Sequence, residues 1–380
     1  EIMVRYGFQI ASLLLLATGS ESFTSLSTRA ISTAPVSTKL FNVPPPGTNA
    51  DPATIKDRSD RESPPQSFYQ LQVNCVRAAE LAIKDGHKLI EVEFPPLPAQ
   101  VLEMDDVSAY DVAEANFKLS LDFAKSFAAK QNDDEEAQVG IPKNVAILFP
   151  DESEMDIALE RTSITADPYP GVQISSLRTS DPRDTRFFKP EQTFMSLFGG
   201  KSGGIIKPLE GVEMYVIVIA SAQELPDVEE LHELAPDAVI CFYNLKLDIL
   251  RGDLGAPAFP PKDFQDRFLS TVKPVYYLRT RQYSRSTSSP PFMVNFQGCL
   301  FRSYPGEFQT LLDTGTGSYR RVGGDKFRPP LGEFKEQLAK ALEVEGVMQK
   351  EGSVLSFLRT GYKTTTWWEE EREDASDSWR

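Results

Sequence analysis

The sequence predicts an α/β protein: a mainly parallel, Rossmann-like sheet with helices on both faces, extended by a C-terminal antiparallel meander and a closing helix. Three observations predict it. Short, continuous apolar runs such as Asn144–Phe149 and Ala238–Tyr243 read as strands buried on both faces, which is what a covered parallel sheet requires. Stretches with apolar residues three and four apart alternate with these runs, the rhythm of crossover units. After Lys273 the rhythm changes to strands joined by short turns, an antiparallel signal.

The elements follow in order. Ser67 is placed to cap a helix in which Leu71, Cys75, Ala78, Ala79, Ala82 and Ile83 share one face, and Gly86 stops it. Lys88–Phe94 reads as a strand, cut off by Pro95-Pro96-Leu97-Pro98 because proline cannot donate to a ladder. A second helix spans Ser108–Lys130. After the strand Asn144–Phe149, residues 151–161 read as a helix with Asp151 and Glu154 spaced as a capping-box variant. Val172–Leu177 is a further strand, and residues 178–211 read as an irregular loop. Val212–Ala220 is the strongest buried strand, Pro226–Leu234 a helix, and Ala238–Tyr243 a strand. The meander takes Val275–Tyr283, Phe292–Arg302, Glu307–Leu312 and Tyr319–Val322. Leu331–Val344 closes the fold, with Phe334, Leu338, Ala339 and Leu342 on one face.

Organisation outside this body is read from composition. With Met3 as the start, Arg5 and the apolar run Phe8–Ala17 form a signal peptide over residues 1–22. Residues 23–66 then open on Phe23, are rich in Ser and Thr, and lack Asp and Glu until Asp51 before a Pro-rich linker. That pattern resembles the bipartite plastid presequence of algae with secondary red plastids, so a plastid location (stroma, with thylakoid contact) is expected. A plain secretory signal followed by a linker is the competing reading. Residues 67–345 are expected to be one domain, and 346–380 an acidic, disordered tail.

With 55 acidic against 40 basic residues, net −15, general nucleic-acid binding is not expected, because phosphates need Lys and Arg. No run after the leader reaches the ~20 residues that span a bilayer, so no transmembrane segment is expected. The cysteines Cys75, Cys241 and Cys299 are odd in number and each sits in an apolar stretch, which favours packing over bridging.

Three segments carry a resemblance to a known family. They are Leu89-Ile90-Glu91-Val92-Glu93-Phe94-Pro95-Pro96 after an Ala-rich helix, Ile147-Leu148-Phe149-Pro150-Asp151, and Leu300-Phe301-Arg302-Ser303-Tyr304-Pro305-Gly306 followed by Leu311-Leu312. Together they resemble an uncharacterised domain family of cyanobacteria and plastids that includes the low photosystem II accumulation type of assembly factor; a related domain also occurs behind a plastid adenylate kinase. The resemblance implies a soluble plastid protein that serves photosynthetic complexes as an assembly or stability factor, with subunits of that apparatus as partners. A non-enzymatic role is expected, and the alternative is an enzyme or sensor that binds a small molecule or phosphate at the carboxyl ends of the parallel strands. The resemblance transfers no catalytic residue.

Candidate chemistry is sparse. Leu312-Asp313-Thr314-Gly315-Thr316 matches one half of an aspartic protease, but that chemistry needs a second Asp-Thr-Gly, so the run reads as a hairpin turn. Gly199-Gly200-Lys201-Ser202 lacks the first glycine of a phosphate loop, and His87 and His232 have no ligand at metal spacing. No catalytic set, metal or cofactor is expected. Two groupings remain. Glu93, Asp151 and Asn244 each fall at the carboxyl end of an expected parallel strand, where ligands bind in open sheets, although Asp151 also serves as a helix cap. Tyr277, Arg279, Arg281 and Tyr283 share one face of a strand, with Arg302, Arg320 and Arg321 on its neighbours. That cluster either receives an acidic partner, a phosphate or anionic headgroups, or pairs internally with carboxylates.

Overall fold

The computed structural model describes residues 62–98, 101, 107–129, 140–179, 205–248, 262–286, 292–314 and 319–344. The expected leader, the tail and the Gly199–Ser202 loop lie outside them. The chain divides between Arg61 and Glu62, and every described residue belongs to the second unit.

The elements are α1 (Phe68–Lys84), β1 (Leu89–Glu93), α2 (Ala109–Ala128), β2 (Val145–Phe149), α3 (Glu152–Thr162), β3 (Val172–Ser176), β4 (Met214–Ile217), α4 (Leu225–Leu234), β5 (Val239–Tyr243), α5 (Lys262–Arg267), β6 (Lys273–Ser286), β7 (Met293–Ser303), β8 (Phe308–Asp313), β9 (Tyr319–Asp325) and α6 (Leu331–Val344). They build one nine-stranded sheet in the order β3-β2-β4-β5-β1-β6-β7-β8-β9. Pairing is parallel from β3 through β6 and antiparallel from β6 to β9. The expected α/β architecture is the observed one.

Two apolar layers sandwich the parallel half. Ile90, Val92, Ile147 and Cys241 pack on one face with α1, α2 and, through Met155 and Leu159, α3. Leu89, Leu148, Ile240 and Phe242 pack on the other with α4 and α5. A third layer sets α6 against the meander, where Phe334 and Leu338 meet Tyr277, Phe296 and Phe308. Helix starts follow side-chain chemistry: Ser67 Oγ accepts from Gln70 N–H at 3.1 Å, Ser108 and Asp111 form a reciprocal capping box, and Asp151 accepts from Glu154 N–H at 2.9 Å. At the end of β3, the buried Arg178 reaches Asp227 of α4 at 2.5 Å and Glu224 at 3.6 Å, pinning that helix to the sheet.

Several elements differ from the sequence expectation, β9 among them, which runs to Asp325 rather than Val322. β4 ends at Ile217 rather than Ala220 because Ile219 takes a left-handed conformation (φ 60°), which no strand residue can hold. Helix α5 and the 3-10 turn Leu269–Thr271 carry Phe264 and Phe268 into the core, though no periodicity marks so short a piece. β6 runs on to Ser286, past the end of β1 at Glu93, so with β7 it forms a ribbon whose outer half lies beyond both neighbouring strands. One ribbon face buries Val294 and Phe296 against the α6 layer; the other presents Gln282, Ser284, Asn295 and Gln297 to solvent. Asp313 ends β8 and pairs antiparallel with Tyr319 at the start of β9, while residues 315–318, which include the glycine of the Asp-Thr-Gly run, lie outside the described set.

The α6 layer depends on Gly298 of β7. A Cβ there would stand 2.6 Å from the Leu311 carbonyl oxygen and 2.6 Å from the Leu338 methyls, and the backbone atom cannot step aside. Gly298→Ala is therefore expected to cost about 1–3 kcal/mol by overpacking, read as a lower urea midpoint at unchanged slope.

No helix among the described residues is long and apolar enough to cross a membrane.

Candidate functional site

The site arises from the winding of the sheet. After β1 the chain passes to α2 on one face, and after the neighbouring β5 it passes to α5 on the other. Adjacent strands whose exits diverge leave a crevice at their carboxyl ends, the usual ligand position in doubly wound sheets.

Asn244 and Lys246 follow immediately after β5, at these strand ends. Both have φ 54°, a left-handed conformation that asparagine tolerates and lysine adopts only under constraint. Asn244 Oδ1 accepts from Phe94 N–H at 2.8 Å, and its Nδ2 donates to Asn116 Oδ1 of α2 at 2.7 Å. Its own N–H donates to the Val92 carbonyl at 2.8 Å, so one side chain ties the exits of β1 and β5 to α2. The Lys246 N–H donates to Glu93 Oε2 at 2.9 Å.

Glu93 is buried and shares the α4–α5 face with the equally buried Glu91. Burial pushes its carboxyl up to about 7; Glu91 and Asp248 add to the rise, and the Arg279 guanidinium and Lys246 N–H oppose it. In an unfolded chain the same group titrates near 4.5. The folded state therefore holds this proton more tightly. The stabilisation is complete below about pH 4.5 and is lost as pH rises through about 7. Glu93→Gln keeps an acceptor for Lys246 N–H and removes the charge. It is expected to flatten the pH dependence of stability and to exceed the native protein by about 1–3 kcal/mol at pH 8 in urea titrations. Identical pH slopes for the two proteins would refute this assignment.

Beside Glu93, the register places Tyr277 of β6 on the same face, and Arg279 follows two residues on. Here the chain draws in Asp248 from the helical residues that follow β5 and Arg328 from the segment joining β9 to α6. A single carboxylate oxygen, Asp248 Oδ2, receives the Tyr277 hydroxyl, Arg279 Nη1 at 3.0 Å and the Arg328 guanidinium. Arg328 also lies over the Tyr277 ring, 4.4 Å from its centroid. The network fills the seam between the α4–α5 layer and the α6 layer. A cleft of about 210 Å³, lined by residues Asp325 to Pro330 and Glu333, reaches Arg328 from outside.

The structure thus brings Glu93 and Asn244 together at the carboxyl ends of the adjacent strands β1 and β5. Asp151 is placed elsewhere: it caps α3 after β2, and β4 and β5 stand between β2 and β1. The arginine–tyrosine face points inward. Tyr277 is 2% exposed and Arg302 5%, while Arg281 and Tyr283 are half-buried under the α6 layer. Arg302 donates through Nε to the Gly306 carbonyl at 3.1 Å and covers the Phe308 ring at 4.8 Å. Sequence reasoning missed Lys246, Asp248 and Arg328; only the Pro329-Pro330 that follows Arg328 marks a fixed backbone there.

Among the described residues no group of three or more His, Cys, Asp or Glu could hold a metal ion. The three cysteines are buried and burial raises their thiols, which leaves them unreactive.

No curated protein and no solved structure matches this chain. A family model described as a domain of unknown function (DUF1995) matches residues 65–336, which include every strand of the sheet and Glu93, Asn244, Lys246, Asp248, Tyr277, Arg279 and Arg328. The chain therefore belongs to the DUF1995 domain family.

Proposed function

We propose that this domain binds a small polar ligand at the crevice between the exits of β1 and β5. One observation carries the reading: basic and hydroxyl donors converge on a single oxyanion position beside a buried glutamate that titrates near neutrality. Purely structural ion pairs seldom need a protonatable carboxyl, a strained lysine backbone and a sheet switch point in one place. A thermal-shift panel of nucleotides, sugar phosphates and organic acids tests it, since a ligand selective for the folded state stabilises by about 2.7 kcal/mol at 100 times its Kd. A panel without any shift would sink the reading.

The sequence favours a second reading at the cellular level: a non-enzymatic plastid factor for photosynthetic, in particular photosystem II, complexes. Its support is the Ser/Thr-rich stretch without acidic residues that precedes Asp51, together with the three family segments. Docking in this reading uses a surface that includes the arginine–tyrosine strand, on the solvent-facing side of its outer half at Gln282 and Ser284. Affinity capture from plastids should enrich thylakoid core subunits; their absence, with normal complexes in a knockout, removes it.

A further inference from the structure

At the amino end of β1, opposite the strand exits, three segments of chain converge. They are the loop with Asp85 and His87 between α1 and β1, Lys273 at the start of β6, and the turn Ser303–Gly306 after β7. The register sets Ser303 against Tyr276, and the Tyr304 N–H donates to the Val275 carbonyl at 2.8 Å, so the turn stands by Lys273. The Tyr304 hydroxyl donates to Asp85 Oδ2 at 2.6 Å, and His87 Nε2 is 3.4 Å from it. Arg302 is 5% exposed, its guanidinium 4.8 Å from the centre of the Phe308 ring and 5.9 Å from that of Tyr304. Nε serves the Gly306 carbonyl, but Nη1 is enclosed and has no hydrogen-bond partner.

Among the described residues no carboxylate offsets this buried guanidinium. Burial and Arg328 oppose its charge, and burial together with Arg302 brings the Lys273 ammonium down to about 8. Tyr304 favours the Arg302 charge only when ionised, and burial and Asp85 push its hydroxyl up to about 12. A buried cation without a counter-charge is destabilising until an anion meets it. We propose that Arg302 and Lys273, flanked by His87 and Tyr304, form a binding site for the phosphate group of a small phosphate monoester. This site is separate from the strand exits and does not depend on a ligand there.

Charge and depth choose the ligand. Arg302 opposes the Lys273 charge, so a dianion offsets both cations where a carboxylate leaves one over. The forked guanidinium and the ammonium also suit a group with three terminal oxygens. Lys273, His87 and Tyr304 are each half-buried, so the site opens to solvent along these side chains. A lipid headgroup held in the plane of a bilayer needs an exposed guanidinium, and so little of Arg302 is exposed that a free molecule is the better source.

The test uses the full chain and its Arg302→Met variant with glycerol phosphate, inorganic phosphate and acetate, each at low millimolar concentration and constant ionic strength. Both phosphates should raise the Tm of the native chain by several degrees and acetate should not. Calorimetry should show glycerol phosphate binding at least ~10-fold more weakly to Arg302→Met. In proton NMR spectra the ligand should move the ring signals of His87 and leave those of His232, on α4, in place. No shift of the native chain overturns the proposal, and an equal response to acetate overturns the choice of phosphate. A response that survives Arg302→Met but is lost in Glu93→Gln overturns this site and supports the one at the strand exits; the opposite pattern does the reverse. If Arg302→Met is insoluble, Lys273→Gln decides: several-fold weaker binding supports the site and unchanged binding overturns it. Flotation with phosphatidic acid vesicles, without a response to glycerol phosphate, overturns the small-molecule source.

Discussion

Replacing Arg328 by alanine should cost about 3–5 kcal/mol, because it removes one partner of a buried ionic group and leaves the other desolvated. Arg328 is 5% exposed, and its charge is stabilised by Asp248, Tyr277 and Glu91. Without it, Asp248 keeps Tyr277 and Arg279, but Glu91 loses a compensating cation inside the sheet face. The stacking on the Tyr277 ring is lost as well. Urea unfolding of the variant measures the loss directly. A comparison sharpens the reading: Arg328→Met combined with Asp248→Leu should lie closer to the native value than Arg328→Ala does, since removing both charges avoids the orphaned one. A loss below about 1 kcal/mol for Arg328→Ala would mean that water reaches the seam.

Phe123→Ala should have an effect of similar size by a different route. Phe123 is fully buried under β5, with the Phe127 ring 5.1 Å away and the Tyr243 ring 5.3 Å away, so truncation opens a cavity that its aromatic neighbours cannot fill. Loss of such a ring costs about 3–5 kcal/mol. In calorimetry the Tm should fall by on the order of 10 °C. An unchanged urea slope would show that the folded state stays compact. A drop of only 1–2 °C would mean that α2 collapses onto the sheet.

Much of this architecture was legible from residue pattern. Residues 145–149 and 239–243 are apolar at every position, and only a strand covered on both faces can bury such a run. Ser67, Ser108 and Asp151 announce helix starts because their oxygens have no better partners than the free N–H groups one turn on. Helix α5 escaped notice because six residues give too few turns for a period to show, and Phe264 and Phe268 do its packing. At the site, Glu93 and Asn244 could be found because strand ends are visible in sequence. Asp248 and Arg328 could not, since eighty positions of chain separate two residues that meet only through the sheet. The alternation of Tyr277, Arg279, Arg281 and Tyr283 correctly marked one face. Whether that face looks outward is decided by α6, which is encoded more than forty positions later.

The central position of β1 has a consequence for how the protein is made. Its two partners, β5 and β6, begin at Val239 and Lys273, so about 150 residues must leave the ribosome before either side of this strand finds a hydrogen-bonding mate. Until then a strand with open edges, whose Leu89, Ile90 and Val92 are bound for the core, waits in a growing polypeptide, a state prone to self-association. A nascent chain halted before Val239 should accordingly remain bound by holding chaperones and sensitive to protease, and protection should appear in one late step as β5 and β6 emerge.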